Sequence, residues 1–248
     1  LRSLYTRSIP EIRQVLRSNG YYNFKIDSSL RQEGEDWIAE FNIDPGQPVI
    51  IDSLDIDITG EGHNDIVLYR AANNFPLESG DRLDHGDYES GKRQLFNIAR
   101  ERGYFDADFS TAVIRIGEEQ LSAAIHLEFD TGVRYRFGEI ILPDTVVTRE
   151  RLNSLLPFSE GDRYDVNQLI TFSRNLRESN YFDEVVVTPL VDEVSDHRVP
   201  ISVKLTPRAK NSVSAGLGYG TDSGPRLVGA WDSHYLNRRG HRLETDLQ

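Results

Sequence analysis

A ten-residue pattern occurs twice in this chain, and the repeat constrains the fold more than any other feature. Residues 75–84 (FPLESGDRLD) recur as residues 156–165 (LPFSEGDRYD), 81 positions later. Five places are identical: Pro76 and Pro157, Gly80 and Gly161, Asp81 and Asp162, Arg82 and Arg163, Asp84 and Asp165. A second match pairs residues 103–106 (GYFD) with 180–183 (NYFD), and residues 20–22 (GYY) resemble the same corner. A period of this length is a unit of domain size, so we predict a tandem array.

The third copy shows the order of elements in one unit most clearly. Alternating apolar residues around Phe137 predict a first strand, and Thr148 is a candidate N-cap for a short helix. Asp165 and Gln168 have the spacing of a capping box at the start of a second helix. Residues 181–188 and the alternation over 199–205 predict two more strands. The order is therefore strand, helix, helix, strand, strand, which is an α+β unit.

The second copy repeats this order, and its second helix is predicted to be about one turn longer than its counterpart. The first copy lacks the first strand and helix. There, Ser8 and Glu11 form a capping-box pattern, and Ile12, Val15 and Leu16 are predicted to face inward. Alternation of apolar residues over 37–43 predicts its last strand. We expect a truncated unit at 1–47, complete units at 48–131 and 132–208, and a different segment at 209–248.

The tail after residue 208 has a different pattern. Apolar residues alternate with glycine and serine over 212–220, which is typical of a membrane β-barrel strand with lipid on one side and a polar lumen on the other. Gly224 and Gly240 break the pattern, so three strands are expected. A membrane barrel needs at least about eight strands. We therefore expect the chain to be the front part of a longer protein.

Composition excludes several classes of function. The formal net charge is −12, which disfavours nucleic acid as a partner. The chain has no cysteine, so it forms no disulfide and no thiolate metal site, which is compatible with an oxidising compartment. Residues 216–220 lack the lysine of a phosphate loop, and residues 55–66 lack the final glutamate of a calcium loop. The histidines show no metal-ligand spacing. We predict no catalytic, cofactor-binding or metal-binding residue.

The repeated motifs resemble a known family. Two features resemble polypeptide-transport-associated (POTRA) domains: the links at Gly80-Asp81 and Gly161-Asp162, and the corners at Gly103-Tyr104 and Asn180-Tyr181. One departure is Asn180, which stands where the family usually has Gly. Residues 216–226 and 236–241 are similar to the start of the barrel in the POTRA-containing outer-membrane assembly superfamily. Within it, the strongest resemblance is to the TamA family, the barrel subunit of the translocation and assembly module.

The resemblance carries expectations for fold, location and partners. It implies three-stranded mixed sheets with two helices on one face, residues 1–208 in the periplasm, and a barrel in the outer membrane. It also implies a TamB-like inner-membrane-anchored subunit, outer-membrane client proteins and outer-membrane lipid as partners. The alternatives are a central barrel-assembly factor, a two-partner secretion pore, and, in a different class, a periplasmic binding protein or enzyme.

The candidate binding surface is a sheet edge. In related units the final strand is central, which leaves the strand after the Tyr-Phe corner at an edge that can accept a partner strand. The candidate edge residues are Phe24, Ile26, Ala112, Val113, Ile114, Val185, Val186 and Val187. Proline at Val113 is expected to remove a donor from this edge. Against this hypothesis, Lys25, Arg115 and Pro189 are residue types that protect edges. Tyr104 and Tyr181 are expected in the core.

Overall fold

The computed structural model describes residues 2–117, 119, 121–220, 224–233 and 243–247. The chain divides into an N-terminal body, Leu1–Arg100 with Tyr104–Val133, and a C-terminal body, Glu101–Gly103 with Arg134–Gln248. Part of the tail motif predicted from the sequence, residues 221–223 and 236–241, lies outside the described residues. No helix in the described part of the chain is long and apolar enough to cross a membrane.

The helices and strands follow the repeat. The first copy contributes α1 (Arg2–Ser18), β1 (Lys25–Glu33) and β2 (Asp36–Asp44). The second copy contributes β3 (Ile50–Thr59), α2 (Ile66–Asn73), α3 (His85–Glu101), β4 (Asp108–Ile116) and β5 (Ser122–Asp130). The third copy contributes β6 (Arg136–Ile141), α4 (Arg149–Asn153), α5 (Val166–Glu178), β7 (Phe182–Pro189) and β8 (Arg198–Pro207). The tail contributes β9 (Asn211–Gly220), β10 (Gly224–Ser233) and β11 (Leu243–Leu247).

The sheets confirm the predicted fold class. In the second copy the strand order is β3-β5-β4, with β3 parallel and β4 antiparallel to β5. In the third copy the order is β6-β8-β7, with the same mixture of directions. The final strand of each complete copy is therefore central. β1 and β2 form an antiparallel hairpin, and β9, β10 and β11 form an antiparallel sheet.

The core of the second copy lies between its sheet and its two helices. One face of β5 is fully buried, at Ala123, Ile125, Leu127 and Phe129. α2 buries Leu68 and Ala71 against it, and α3 buries Tyr88, Gly91, Leu95 and Ala99 at helical spacing. α3 has 17 residues and α5 has 13, which confirms the predicted extra turn.

Three local predictions are wrong. α1 begins upstream of Ser8, whose hydroxyl donates to Leu4 O (2.9 Å) within the helix instead of capping it. Val15 is 61% exposed rather than inward-facing. In β2 the half-buried residues are Ile38 and Phe41, so the predicted alternation is not followed. The hairpin has no buried sheet face of its own on which a strict alternation would depend.

Candidate functional site

The repeated link forms backbone hydrogen bonds with the outer edge of the first strand in each complete copy. In the second copy, Gly80 N donates to Ile51 O (2.8 Å), and Ile51 N donates to Asp81 O (2.8 Å). Leu83 N then donates to Val49 O (2.9 Å). The residues that the sequence marked as the link between two helices therefore pair with the start of β3 and cover that edge.

The third copy repeats these bonds at the edge of β6. Gly161 N donates to Phe137 O (2.8 Å), and Phe137 N donates to Asp162 O (2.9 Å). Tyr164 N donates to Tyr135 O (2.9 Å). The sequence analysis did not predict this pairing. The identical spacing of the two motifs was the feature that could have indicated it.

The repeated spacing has the same geometric cause in both links. Gly80 and Gly161 have φ of +98° and +89°, which a side chain disfavours. The Asp81 carboxylate accepts a hydrogen bond from Glu78 N (2.9 Å), and the Asp162 carboxylate accepts one from Ser159 N (2.8 Å). The same turn is thus closed in the same way in both copies.

The last aspartate of each motif caps the following helix. Asp84 Oδ1 accepts from Gly86 N (2.8 Å), and Asp165 Oδ1 accepts from Asn167 N (2.9 Å). The capping box predicted with Gln168 is not formed, because Gln168 Oε1 is buried with no hydrogen-bond partner. The carboxylate of Asp165 caps the helix without the reciprocal bond.

The Tyr corners tie the end of the second helix to the start of the first. Gly103 and Asn180 have φ of +88° and +59°, so both end their helices in a left-handed turn. Tyr104 is buried, and its hydroxyl donates to Asp65 Oδ2 (3.2 Å), the N-cap of α2. Tyr181 is also buried and accepts from Arg151 Nε of α4 (3.4 Å). These aromatic residues lie in the core.

The exposed edge of the second-copy sheet is β4. A bond from Gly117 N to Ser122 O (2.9 Å) fixes the pairing with β5, because antiparallel pairs alternate between bonded and non-bonded. The residues whose N–H and C=O face β5 are Thr111, Val113 and Arg115. Those whose groups face outward are Ala112, Ile114 and Ile116. No residue that the structure describes bonds to these outward groups. The proposed proline at Val113 would therefore break the sheet itself rather than its outer edge.

The equivalent edge in the third copy, β7, is less open. Leu190 N donates to Pro200 O (2.9 Å), so the outward residues are Val185, Val187 and Pro189, while Val186 faces β8. Pro189 has no N–H to offer. The carbonyl of Val185 already accepts from Arg177 Nη2 (3.4 Å). Two of the six outward groups are thus absent or engaged.

The first-copy candidates lie in and beside β1. Ile26 is the second residue of β1 and is half-buried, whereas Phe24 precedes the strand. β1 pairs only with β2 in the described chain, so both strands of this hairpin are edges. Among the candidates, β4 offers the longest run of free backbone groups beside a buried core.

Two buried tyrosines of the complete copies have raised pKa values. Burial raises the pKa of the Tyr164 phenol to about 12, and the adjacent Asp165 carboxylate adds to this shift. Burial also raises the pKa of Tyr88, and Glu89 contributes in the same direction. Both phenols stay protonated in the core. The described residues contain no cluster of three His, Asp or Glu side chains that could hold a metal ion.

Comparisons with known proteins agree with this geometry. Residues 135–208 match the POTRA family, described as a surface antigen variable number repeat. Over 246 residues the chain is 22% identical to the outer membrane protein assembly factor BamA of Buchnera aphidicola subsp. Acyrthosiphon pisum (strain APS), covering 96% of this chain and 39% of that protein. BamA from Haemophilus ducreyi lacking POTRA domains 1–3 is similar in fold, with a TM-score of 0.56, 19% identity, and coverage of 79% of this chain and 36% of that one.

Residues 135–208 thus match a POTRA domain, and the similarity to BamA supports the POTRA-containing outer-membrane assembly superfamily. The chain spans about two fifths of the length of the curated relative that it matches. A further structure, Haemophilus influenzae BamA POTRA3–5, is 19% identical with a TM-score of 0.43, and covers 82% of this chain and 80% of that one. The name of the Buchnera relative places that protein in the outer membrane, and the two Haemophilus structures are of BamA, a protein with POTRA domains. The Buchnera relative is named as an assembly factor rather than as an enzyme.

Proposed function

We propose that this chain is the periplasmic arm, with the start of the barrel, of an outer-membrane protein assembly or translocation factor. The arm consists of a truncated POTRA unit at 1–47 and complete units at 48–131 and 132–208, and residues 209–248 begin the barrel. It aligns a periplasmic partner and client chains for insertion into the outer membrane. The POTRA match at residues 135–208 and the assembly role named for BamA support this role.

The finer proposal is a TamA-like protein whose partner is a TamB-like inner-membrane-anchored subunit. The support for it is two complete units and one partial unit ahead of the barrel-like tail motif. The second candidate is the central barrel-assembly factor, and the similarity to BamA over 246 residues favours it. Affinity capture of this protein from cells separates the two. Recovery of the TamB-like subunit supports the finer proposal, and its absence from a capture that retains client chains contradicts it.

The observation that supports partner binding is the open edge of β4. Its three outward residues offer N–H and C=O groups beside a fully buried sheet core, and main-chain pairing depends little on the sequence of the added strand. Each new hydrogen bond contributes about 0.5–1.5 kcal/mol net, while ordering each residue of the added strand costs about 1–2 kcal/mol. Main-chain pairing alone is therefore weak, which suits a surface that must release many different clients.

Proline at Ala112 tests the edge with little other disturbance. Ala112 is exposed, and its N–H points away from β5, so Ala112→Pro removes an outward donor and leaves the β4–β5 ladder in place. Ala112→Val retains the N–H and is the matched control. We expect Ala112→Pro to weaken binding of an unfolded outer-membrane client by about fivefold or more, and Ala112→Val to bind like the parent. Equal binding by both variants would rule out strand addition at β4.

A further inference from the structure

A cationic cleft lies in the N-terminal body, between α1 and the start of α3. Its volume is about 360 Å³, which falls within the range of small-ligand pockets. Arg13 and Arg17 form one wall, and Tyr22 and His85 lie opposite. None of the residues that line the cleft is acidic. Apart from Tyr22, which lies in the first-copy corner, none of them belongs to the repeated motifs or to the β4 edge.

The two arginines are uncompensated in a chain that has an excess of acid. Acidic residues outnumber basic ones by 40 to 28, yet no ion pair of the described residues includes Arg13 or Arg17. The nearest acid on α1, Glu11, pairs instead with Arg7 (3.0 Å). Asp84, next to His85, pairs with Arg82 (3.5 Å). The positive charge of the cleft is therefore available to a ligand.

The opposite wall is fixed in place. The Tyr22 hydroxyl and His85 Nε2 are hydrogen-bonded (2.8 Å). Gly20 O accepts from Val49 N (2.8 Å), which anchors the end of α1 to the second copy. Burial raises the pKa of the Tyr22 phenol and the charge of Arg17 opposes that shift, so the guanidinium is within electrostatic reach of the ring. The cleft thus combines two cations with an aromatic surface that is already positioned.

We propose that this cleft binds an acidic polypeptide segment through two carboxylates. Arg13 and Arg17 are four residues apart on one helix, a rise of about 6 Å, which matches the spacing of about 6.7 Å between alternate residues of an extended chain. A guanidinium is a fork of donors that pairs with a carboxylate in bidentate geometry. Tyr22 and Pro10 contribute apolar surface to the cleft for the residue between the two acids.

A polypeptide fits this cleft better than a membrane surface does. Binding to anionic lipid headgroups typically uses clusters of about 4–8 basic residues on a convex or flat face. The cleft has only two arginines, and they lie in a concavity. An extended segment with acids at alternate positions satisfies both arginines without requiring a wider basic patch.

Fluorescence anisotropy with a labelled peptide tests the proposal on the full 248-residue chain. The probe is Gly-Ser-Phe-Glu-Phe-Glu-Gly-Ser, and the control peptide has Gln in place of both Glu residues. We expect the Glu peptide to bind about tenfold or more tightly than the Gln peptide, and more weakly as salt rises. The double variant Arg13→Gln, Arg17→Gln should lose about tenfold in affinity, whereas Arg7→Gln on the same helix should stay within about twofold.

Each contrary result overturns the proposal. Equal affinities for the two peptides would show that the cleft does not recognise carboxylates. Equal binding by the Arg13/Arg17 double variant and the Arg7 variant would show the same. Displacement of the peptide by millimolar inorganic phosphate, but not by chloride at the same ionic strength, would reassign the site to free phosphate. Arginine-dependent binding to anionic vesicles without peptide binding would reassign it to lipid. All three arginine positions are exposed, so the variants are expected to fold, and thermal melting checks this.

Discussion

Alanine at Gly20 should destabilise the N-terminal body far more than alanine at Gly80, although both glycines have positive φ. Gly20 has φ of +82° and Gly80 has φ of +98°. A Cβ on Gly80 meets no atom within 4 Å, whereas a Cβ on Gly20 lies 2.3 Å from Leu83 O. That oxygen is a backbone atom, so it cannot rotate away. Both variants place a side chain on a strained backbone conformation, but only Gly20→Ala also brings that side chain into a clash with Leu83 O.

The expected magnitudes follow from these two terms. A left-handed conformation costs a residue with a side chain about 1–2 kcal/mol, and this is the whole effect expected for Gly80→Ala. Overpacking at Gly20 adds about 1–3 kcal/mol, because Leu83 O and the hydrogen bond from Val49 N to Gly20 O must both shift. Gly20→Ala should therefore cost about 2–5 kcal/mol in total.

Urea unfolding followed by Trp37 fluorescence measures the difference. The chain has two tryptophans, so a Trp231→Phe background leaves Trp37 in β2 as the only reporter, and it lies in the N-terminal body. Equal losses of unfolding free energy for Gly20→Ala and Gly80→Ala would refute the reasoning. That result would mean that the end of α1 does not pack against Leu83 as the structure shows.

Three further predictions concern the core of the complete copies. Tyr104→Phe should reduce the free energy of unfolding by about 1–2 kcal/mol in urea titrations, because it leaves the buried Asp65 carboxylate without this donor. Gly91→Ala should lower the free energy of unfolding, because the added Cβ would lie 2.3 Å from the Phe75 ring. This loss should exceed the gain of about 1 kcal/mol in helix propensity. Adding Phe75→Leu to Gly91→Ala should restore part of the lost stability. The pKa of Tyr164 is about 12 in the folded state against 10.0 in the unfolded state. The contribution of this phenol to the free energy of unfolding is therefore intact below pH 10 and is lost as the pH rises towards 12. Tyr164→Phe should remove about 1–2 kcal/mol of that pH dependence in unfolding titrations at pH 9 and 11.5.

Much of the fold could be predicted because the signals are local and repeated. The alternation over 199–205 identified the buried face of the central strand in the third copy, and Asp165 identified the start of α5. The comparison of helix lengths also succeeded, since it used only the spacing between two matched motifs. Each of these features is set by residues close together in sequence.

The failures concern contacts that local pattern does not determine. Ser8 and Glu11 have capping-box spacing, but the same spacing is compatible with the interior of a helix, and α1 continues through them. The motif around Gly80 did not reveal which strand its main chain would pair with. The orientation of Val113 depends on the hairpin pairing of Gly117 with Ser122, and a shift of one residue would have reversed it.

Amide hydrogen exchange on β4, with and without a client, tests strand addition most directly. In the chain alone, the N–H groups of Ala112, Ile114 and Ile116 face outward and should exchange rapidly, while that of Val113 faces β5 and should be protected. On addition of an unfolded outer-membrane client, we expect the three outward amides to become protected, with no change at Val113. Client binding without any slowing at these three amides would contradict strand addition at this edge.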